Sequence, residues 1–285
     1  MPSLKDIKRR IVTVRKTQQI TRAMRMVAGA KLRRAQSAIE AARPYAEAMR
    51  ATLREVARAQ KDAEHPLLAA HPQARAVEIV VVTSDRGLCG AFNANVLKFA
   101  QQVIAARAGR SVTITTAGRK ANEFFRKRYP GSMGADYPQQ GWVQYAQAAR
   151  IGQRLAERYA SGEIDEAVLV YSEFVSVMSQ RAREVRLLPF AVGEEPGEAA
   201  ALPYEIEPSP AKLLELLVPK ALETEIFRAL LENQVGEHAA RMTAMESATS
   251  NTEELIGSLT LKYNRARQAA ITKELVEIVS GAEAL

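Results

Sequence analysis

From Lys220 to Leu285 the chain contains no proline, and only Gly236, Gly257 and Gly281 interrupt a composition that favours helix. Ser209-Pro210 ahead of this run reads as a helix start, with serine at the N-cap and proline at the first helical position. Pro219 falls inside or just ahead of the main run and predicts a kink or a restart. At 1.5 Å per residue, an unbroken helix over this run would reach roughly 100 Å, about three times what one compact domain accommodates. Such a helix needs a partner along its length. Between Gly236 and Asn251 it offers almost no large aliphatic side chain, which suits a thin, close pairing and excludes a leucine zipper. Farther on, Ile271, Leu275 and Ile278 recur at four and three residues and predict an apolar stripe among Arg265, Arg267, Gln268, Lys273 and Glu274. The alternative for this tip is a solvated helix end.

The other end of the chain supplies the matching segment. Ser3-Leu4-Lys5-Asp6 is a capping box with Asp6 in place of the usual glutamate. Leu4, Ile7, Ile11 and Val14 follow at three, four and three, a heptad seam. The seam reads as shifting through Ile20, Met24 and Val27 and resuming as Ile39, Ala42, Ala46, Met49, Leu53 and Val56, which suggests a helix that changes partner along its length. Pro44 lies within this periodicity and predicts a bend rather than an end. Residues 1–60 hold 15 Lys/Arg against four acids, a net of +11, so the remainder of the +8 chain sums to −3. Residues 220–285 hold 10 acids and seven Lys/Arg. The charges favour an antiparallel coiled coil of the two ends, although each exposed ion pair adds only about 0–1 kcal/mol.

Between them, Glu64–Ala74 reads as a linker with His65-Pro66 and His71-Pro72. Val77–Thr83 is a β-branched strand, followed by the turn Ser84–Gly90 and a helix over about 92–106. Strands are expected at 111–116, 167–175 and 183–190, helices at 117–129 and 143–159, and loops at 130–141 and 193–210. Alternation of strand and helix predicts a mostly parallel α/β sheet ending in a hairpin. The expected fold class is therefore α/β. A long antiparallel coiled coil spans 1–60 and 209–285, and a Rossmann-like α/β domain over 75–192 is inserted between its arms.

Little chemistry is legible. Cys89 is the only cysteine, so there is no disulfide framework, and His65, His71 and His238 are scattered without ligand spacing. No cofactor, metal or catalytic residue is expected. No apolar run reaches membrane-spanning length, and Asp6 within a regular helix argues against reading the basic N-terminus as a transit peptide. Gly87 and Gly90 sit between a strand and a helix, as a nucleotide site would need, but form neither G-x-G-x-x-G nor G-x-x-x-x-G-K-[ST]. The plainer reading is a tight turn in which Ser84 or Asp85 bonds free backbone N–H groups. Ser84 and Asp85 have no histidine placed for a triad, and the pairs Asp165-Glu166 and Glu194-Glu195 read as solvated loop carboxylates. The basic arm suits nucleic acid or an acidic protein surface; with Tyr45 its only aromatic, it lacks a stacking platform.

Four stretches carry a resemblance over the whole chain. Lys16-Thr17-Gln18-Gln19-Ile20-Thr21-Arg22-Ala23-Met24-Arg25-Met26-Val27-Ala28-Gly29-Ala30-Lys31-Leu32 and Thr83-Ser84-Asp85-Arg86-Gly87-Leu88-Cys89-Gly90-Ala91-Phe92-Asn93 are similar to the gamma subunits of rotary proton-translocating ATP synthases. So are Ala239-Ala240-Arg241-Met242-Thr243-Ala244-Met245 and Tyr263-Asn264-Arg265-Ala266-Arg267-Gln268-Ala269-Ala270-Ile271-Thr272-Lys273-Glu274-Leu275. Gly29 and Ala30 depart from the usual alanine and serine, and the paired cysteines of the chloroplast version are absent, which favours a bacterial member. The resemblance implies a non-catalytic central shaft at the cytoplasmic face of the bacterial inner membrane. Its implied partners are the alpha and beta subunits, the epsilon subunit and the c-subunit ring, with no nucleic acid. Arg267 and Gln268 match positions that bond a catch loop of beta, and Met24 and Arg241 match positions near beta's acidic lever segment. Tyr204 and Glu207 resemble, more weakly, a loop resting on the c ring. The alternative is a basic helical nucleic-acid-binding protein with an α/β domain.

Overall fold

The computed structural model describes residues 3–59, 65–72, 75–191, 207 and 209–283. In chain order the elements are α1 (Leu4–Ala59), β1 (Ala76–Val82), α2 (Phe92–Ala105), β2 (Ser111–Ala117), α3 (Arg119–Arg128), β3 (Met133–Tyr137), α4 (Tyr145–Ala160), β4 (Glu166–Phe174), β5 (Gln180–Leu188) and α5 (Pro210–Glu283). They divide into two units, Met1–Gly29 with Arg241–Leu285 and Ala30–Ala240.

The reciprocal cap of α1 forms as expected: Asp6 N–H donates to Ser3 Oγ at 3.2 Å and Ser3 N–H donates to Asp6 Oδ2 at 3.2 Å. Helix α5 starts at Pro210, with Lys212 N–H donating to Ser209 Oγ at 3.3 Å. It continues through Pro219 without the expected restart, and α1 continues through Pro44.

Burial along α1 corrects the expected change of seam. Ile20 and Val27 are exposed, at 60% and 56%. Thr21, Ala28, Leu32 and Ala35 are buried instead, and Gln18 and Arg25 are half-buried. The covered positions then run Ile7, Ile11, Val14, Gln18, Thr21, Arg25, Ala28, Leu32, Ala35, Ile39, Ala42, Ala46, Met49, Leu53 and Val56. This is an unbroken alternation of four and three. No register shift occurs; the seam simply passes through polar and small residues, which an apolar count skips.

In the second unit the sheet order is β3-β2-β1-β4-β5, with β1, β2, β3 and β4 parallel and β5 antiparallel to β4. Strand β3 corrects the loop expected over 130–141; its half-buried edge position leaves no continuous apolar run to read. Strand β1 is covered on both sides, which explains its near-continuous apolar sequence. Val77, Ile79 and Val81 face α2 and α3 through Val96, Ala100, Val103, Ala121 and Phe125. Val80 and Val82 join Ile151, Leu155 and Tyr159 of α4, Leu53 and Val56 of α1, and Leu222, Ile226 and Leu230 of α5. The long helices thus complete one helical layer of the sheet. Glu78, fully buried within β1, is held by the Thr115 hydroxyl at 2.5 Å and by Arg158.

Gly118, between β2 and α3, sits at φ +114, and a Cβ there would lie 2.2 Å from the Thr83 carbonyl oxygen. Gly118→Ala should therefore destabilise the protein by more than about 2 kcal/mol, read as a lower urea midpoint at unchanged slope.

Candidate functional site

Open α/β sheets bind ligands where strand order reverses, outside the carboxyl ends of the strands. Here that point lies between β1 and β4, and two features fill it and the neighbouring helix start after β2. The first is the turn after β1. Thr83 Oγ1 accepts Ala121 N–H at 2.8 Å, Ser84 O accepts Lys120 N–H at 3.2 Å, and Asp85 Oδ1 accepts Arg119 N–H at 2.7 Å. The first-turn donors of α3, which would otherwise attract an anion, are occupied by protein. Asp85 also accepts Gln139 N–H at 3.2 Å, so the turn reading holds for Asp85. Ser84 behaves differently: its hydroxyl donates to Arg86 O at 2.6 Å and its N–H donates to Asn93 Oδ1 at 3.0 Å.

The second feature is α5 itself. A Cβ on Gly236 would lie 3.1 Å from the Phe92 ring, 3.4 Å from Gln180 Cγ and 3.7 Å from Ser172 Oγ. The helix therefore packs against the start of α2 and the carboxyl end of β4, where a nucleotide would sit. Only glycine permits this approach without displacing Phe92.

In the first unit the early part of α1 and the late part of α5 run antiparallel. Ile7 and Ile11 cluster with Leu259, flanked by Val14, Tyr263 and Ala266. The Thr21 and Thr249 hydroxyls meet at 2.8 Å in a buried contact, Arg25 pairs with Glu246, and a Cβ on Gly29 would lie 3.4 Å from Met242 Sδ. Small and hydroxylated residues at these positions let the two backbones approach, in keeping with the thin pairing expected.

Of the expected contact residues, Met24, Arg241, Arg267 and Gln268 belong to the first unit and do not form one cluster there. Met24 and Arg241 are half-buried on the paired stretch. Arg267 and Gln268 are exposed about 39 Å farther along α5. There the helix has outrun α1, and Ile271, Leu275, Val276, Ile278 and Val279 are 49%, 57%, 58%, 68% and 55% exposed. Glu207 is exposed, and Tyr204 lies outside the described residues.

In the second unit, α1 and α5 share an ionic cluster. Arg228 pairs with Glu225 and Glu232, and Arg50 with Glu225. Burial opposes ionisation of Arg228, but bonding to Glu225 and the nearby Glu232 outweigh it and hold the guanidinium firmly charged. Burial likewise opposes the Glu225 charge, yet Arg228 and Arg50 keep its carboxyl below the usual range. Burial raises Glu232 despite Arg228. Burial, with the Glu232 charge nearby, pushes the Tyr171 phenol up to about 12.

Asp165 and Glu166 correct the expectation of solvated carboxylates. Asp165 accepts the N–H groups of Arg75 and Ala76, each at 2.8 Å, and contacts His71 at 3.1 Å. Glu166 pairs with Arg107 and Arg110. Glu194 and Glu195 lie outside the described residues. Among the described residues no His/Cys/Asp/Glu group is arranged to hold a metal, and no helix is long and apolar enough to cross a membrane.

A mostly parallel sheet whose point of reversal is covered by the terminal helix, and a long antiparallel helix pair whose second member extends past the first, define the class of the fold. A family model described as ATP synthase matches residues 3–285. ATP synthase gamma chains from Anaeromyxobacter sp. and Rhizobium johnstonii are 49% and 48% identical, each covering 100% of both chains. A solved chain of the Euglena gracilis mitochondrial ATP synthase (OSCP/F1/c-ring) has a TM-score of 0.70 at 21% identity, over 99% of this chain and 94% of that one. A chain from the Tetrahymena thermophila central stalk and c ring has a TM-score of 0.62 at 23% identity, over 80% and 99%. The chain belongs to the ATP synthase gamma-chain family.

Arg228→Met would leave Glu225 and Glu232 buried without their shared cation and should cost about 3–5 kcal/mol at pH 7. Glu225, depressed in the folded parent, contributes stability above the unfolded carboxylate pKa and loses it as pH falls. In the variant Glu225 keeps only Arg50 and Glu232 loses the one cation that opposes its desolvation, so acid relieves the buried charge. Urea unfolding should show the gap between parent and variant narrowing toward pH 4.

Proposed function

We propose that this chain is the central rotor shaft of a bacterial ATP synthase, working at the cytoplasmic face of the inner membrane and itself non-catalytic. It couples ion-driven turning of the c ring to conformational change at alpha–beta sites, where ATP is made or split. The observation that carries this reading is the bare end of α5, where five large apolar side chains stand exposed on a helix with no partner from α1. An apolar surface of this kind calls for an enclosing protein surface. A ring of subunits around the helix supplies one, while smooth apolar contact without interlocking allows rotation.

Alpha, beta, epsilon and the c ring are the proposed partners. Arg267 and Gln268 are the proposed contacts with a catch loop of beta. Met24 and Arg241 are those near its acidic segment, and Tyr204 and Glu207 those on the c ring. Directional polar groups spaced along an otherwise smooth surface would mark preferred angular stops. Arg25 and Arg50 of α1 pair with Glu246 and Glu225 of the same chain, so part of the basic charge of α1 is used within the protein rather than offered to nucleic acid.

Mixing the full chain with alpha and beta subunits should give a stoichiometric ATPase complex; absence of the complex overturns the proposal. Met24→Lys should leave ATP hydrolysis in place while lowering protons pumped per ATP in membrane vesicles, because a new ion pair with beta must break on each turn. Equal pumping ratios in variant and parent would refute the assignment of Met24.

A further inference from the structure

The loop joining β3 to α4, residues 138–144, touches three other elements of the second unit. At its base Gln139 N–H donates to Asp85 Oδ1 at 3.2 Å, beside the β1 turn, and Gln147 Nε2 donates to Pro138 O at 3.2 Å. Gly141, at φ +81, presents its carbonyl to Gln234 Nε2 of α5 at 2.9 Å. Trp142 follows, with the Arg34 guanidinium of α1 4.2 Å above its ring and the His238 ring of α5 6.0 Å away, edge-on at 69°. One indole therefore meets both long helices on a loop that is itself tied to the sheet.

Helix α1 enters the sheet core again through Leu53 and Val56, about 28 Å farther along its axis. Between these two points α1 carries Pro44, which donates no backbone hydrogen bond, and it borders a cavity of about 390 Å³ lined in part by Ile39, Ala42, Tyr45, Tyr145, Phe227 and Leu231. In this stretch Ala46 is buried and Arg50 pairs with Glu225 of α5. A proline-containing, loosely packed span transmits load poorly unless both of its ends are held.

We infer that Trp142 is a positioning residue, which with Arg34 and His238 clamps α1 and α5 to the sheet, so that turning force passes between the helices and the α/β domain without flexing at Pro44. The inference rests on the rotor reading given above, but the contact can be tested apart from it. Trp142 is the only tryptophan of the chain. In the full chain, Arg34→Ala should raise acrylamide quenching of its fluorescence about twofold, while Arg34→Lys stays near the parent value. Unchanged quenching in Arg34→Ala overturns the clamp whatever the chain does. In the reconstituted enzyme, Trp142→Ala and Arg34→Ala should retain ATP hydrolysis but pump about half as many protons per ATP, and Trp142→Phe, which keeps an aromatic face, should recover the ratio. A merely structural role would lower hydrolysis and pumping together and would refute the inference. If Trp142→Ala does not assemble, Arg34→Ala, altered at an exposed side chain, decides the same comparison. Failure of the unmodified chain to join any ATPase would refute the rotor reading and leave the quenching result intact.

Discussion

A helix of 74 residues cannot be covered by one small core, and the rest of the structure follows from how α5 is covered. Where it meets the early part of α1, contact comes from close backbone approach rather than bulky interdigitation: Gly29 against Met242, Thr21 against Thr249. Each such contact buries little apolar area, so the pairing depends on an uninterrupted seam more than on any single residue. Ile20 and Val27, which a search for apolar spacing would place inside, are turned outward. Inserted into the seam, they would hold the helices apart.

The same helix changes what the α/β sheet can do. Its topology is that of a ligand-binding sheet, with the reversal of strand order that creates a crevice. Thr83, Ser84 and Asp85 occupy the donors at the start of α3, and α5 fills the opening through Gly236. The likeness to nucleotide-binding proteins is thus one of architecture, and function must be sought on the helices instead.

Charge adds selectivity to this packing. Arg228 sits between two carboxylates of its own helix, while Arg50 reaches across from α1. Net stabilisation from such groups is small once desolvation is counted, but a mispaired arrangement would bury an uncompensated charge. The cluster therefore favours one register of α1 on α5 over slipped alternatives. Glu166, paired with Arg107 and Arg110, ties the segment after α2 to the amino end of β4.

Much of this was legible in the residues alone. The capping box at Ser3 and Asp6, the start at Ser209-Pro210, four of the five strands and the two helical arms follow from local rules, because caps, β-branched runs and proline act within a few residues. Strand β3 was hidden because an edge strand need not be apolar. The continuous seam of α1 was hidden because Gln18, Thr21 and Arg25 occupy positions that apolar spacing does not register. Gly236 was visible only as a break in a helical composition and Trp142 gave no signal, since closing a crevice and bridging three elements depend on residues far apart in the chain. The order of residues determined which segments form elements and that two long helices would need each other. Which face of each turns inward, and whether the sheet keeps an open site, was decided only by packing in three dimensions, where the separation between surfaces sets the side chain that fits.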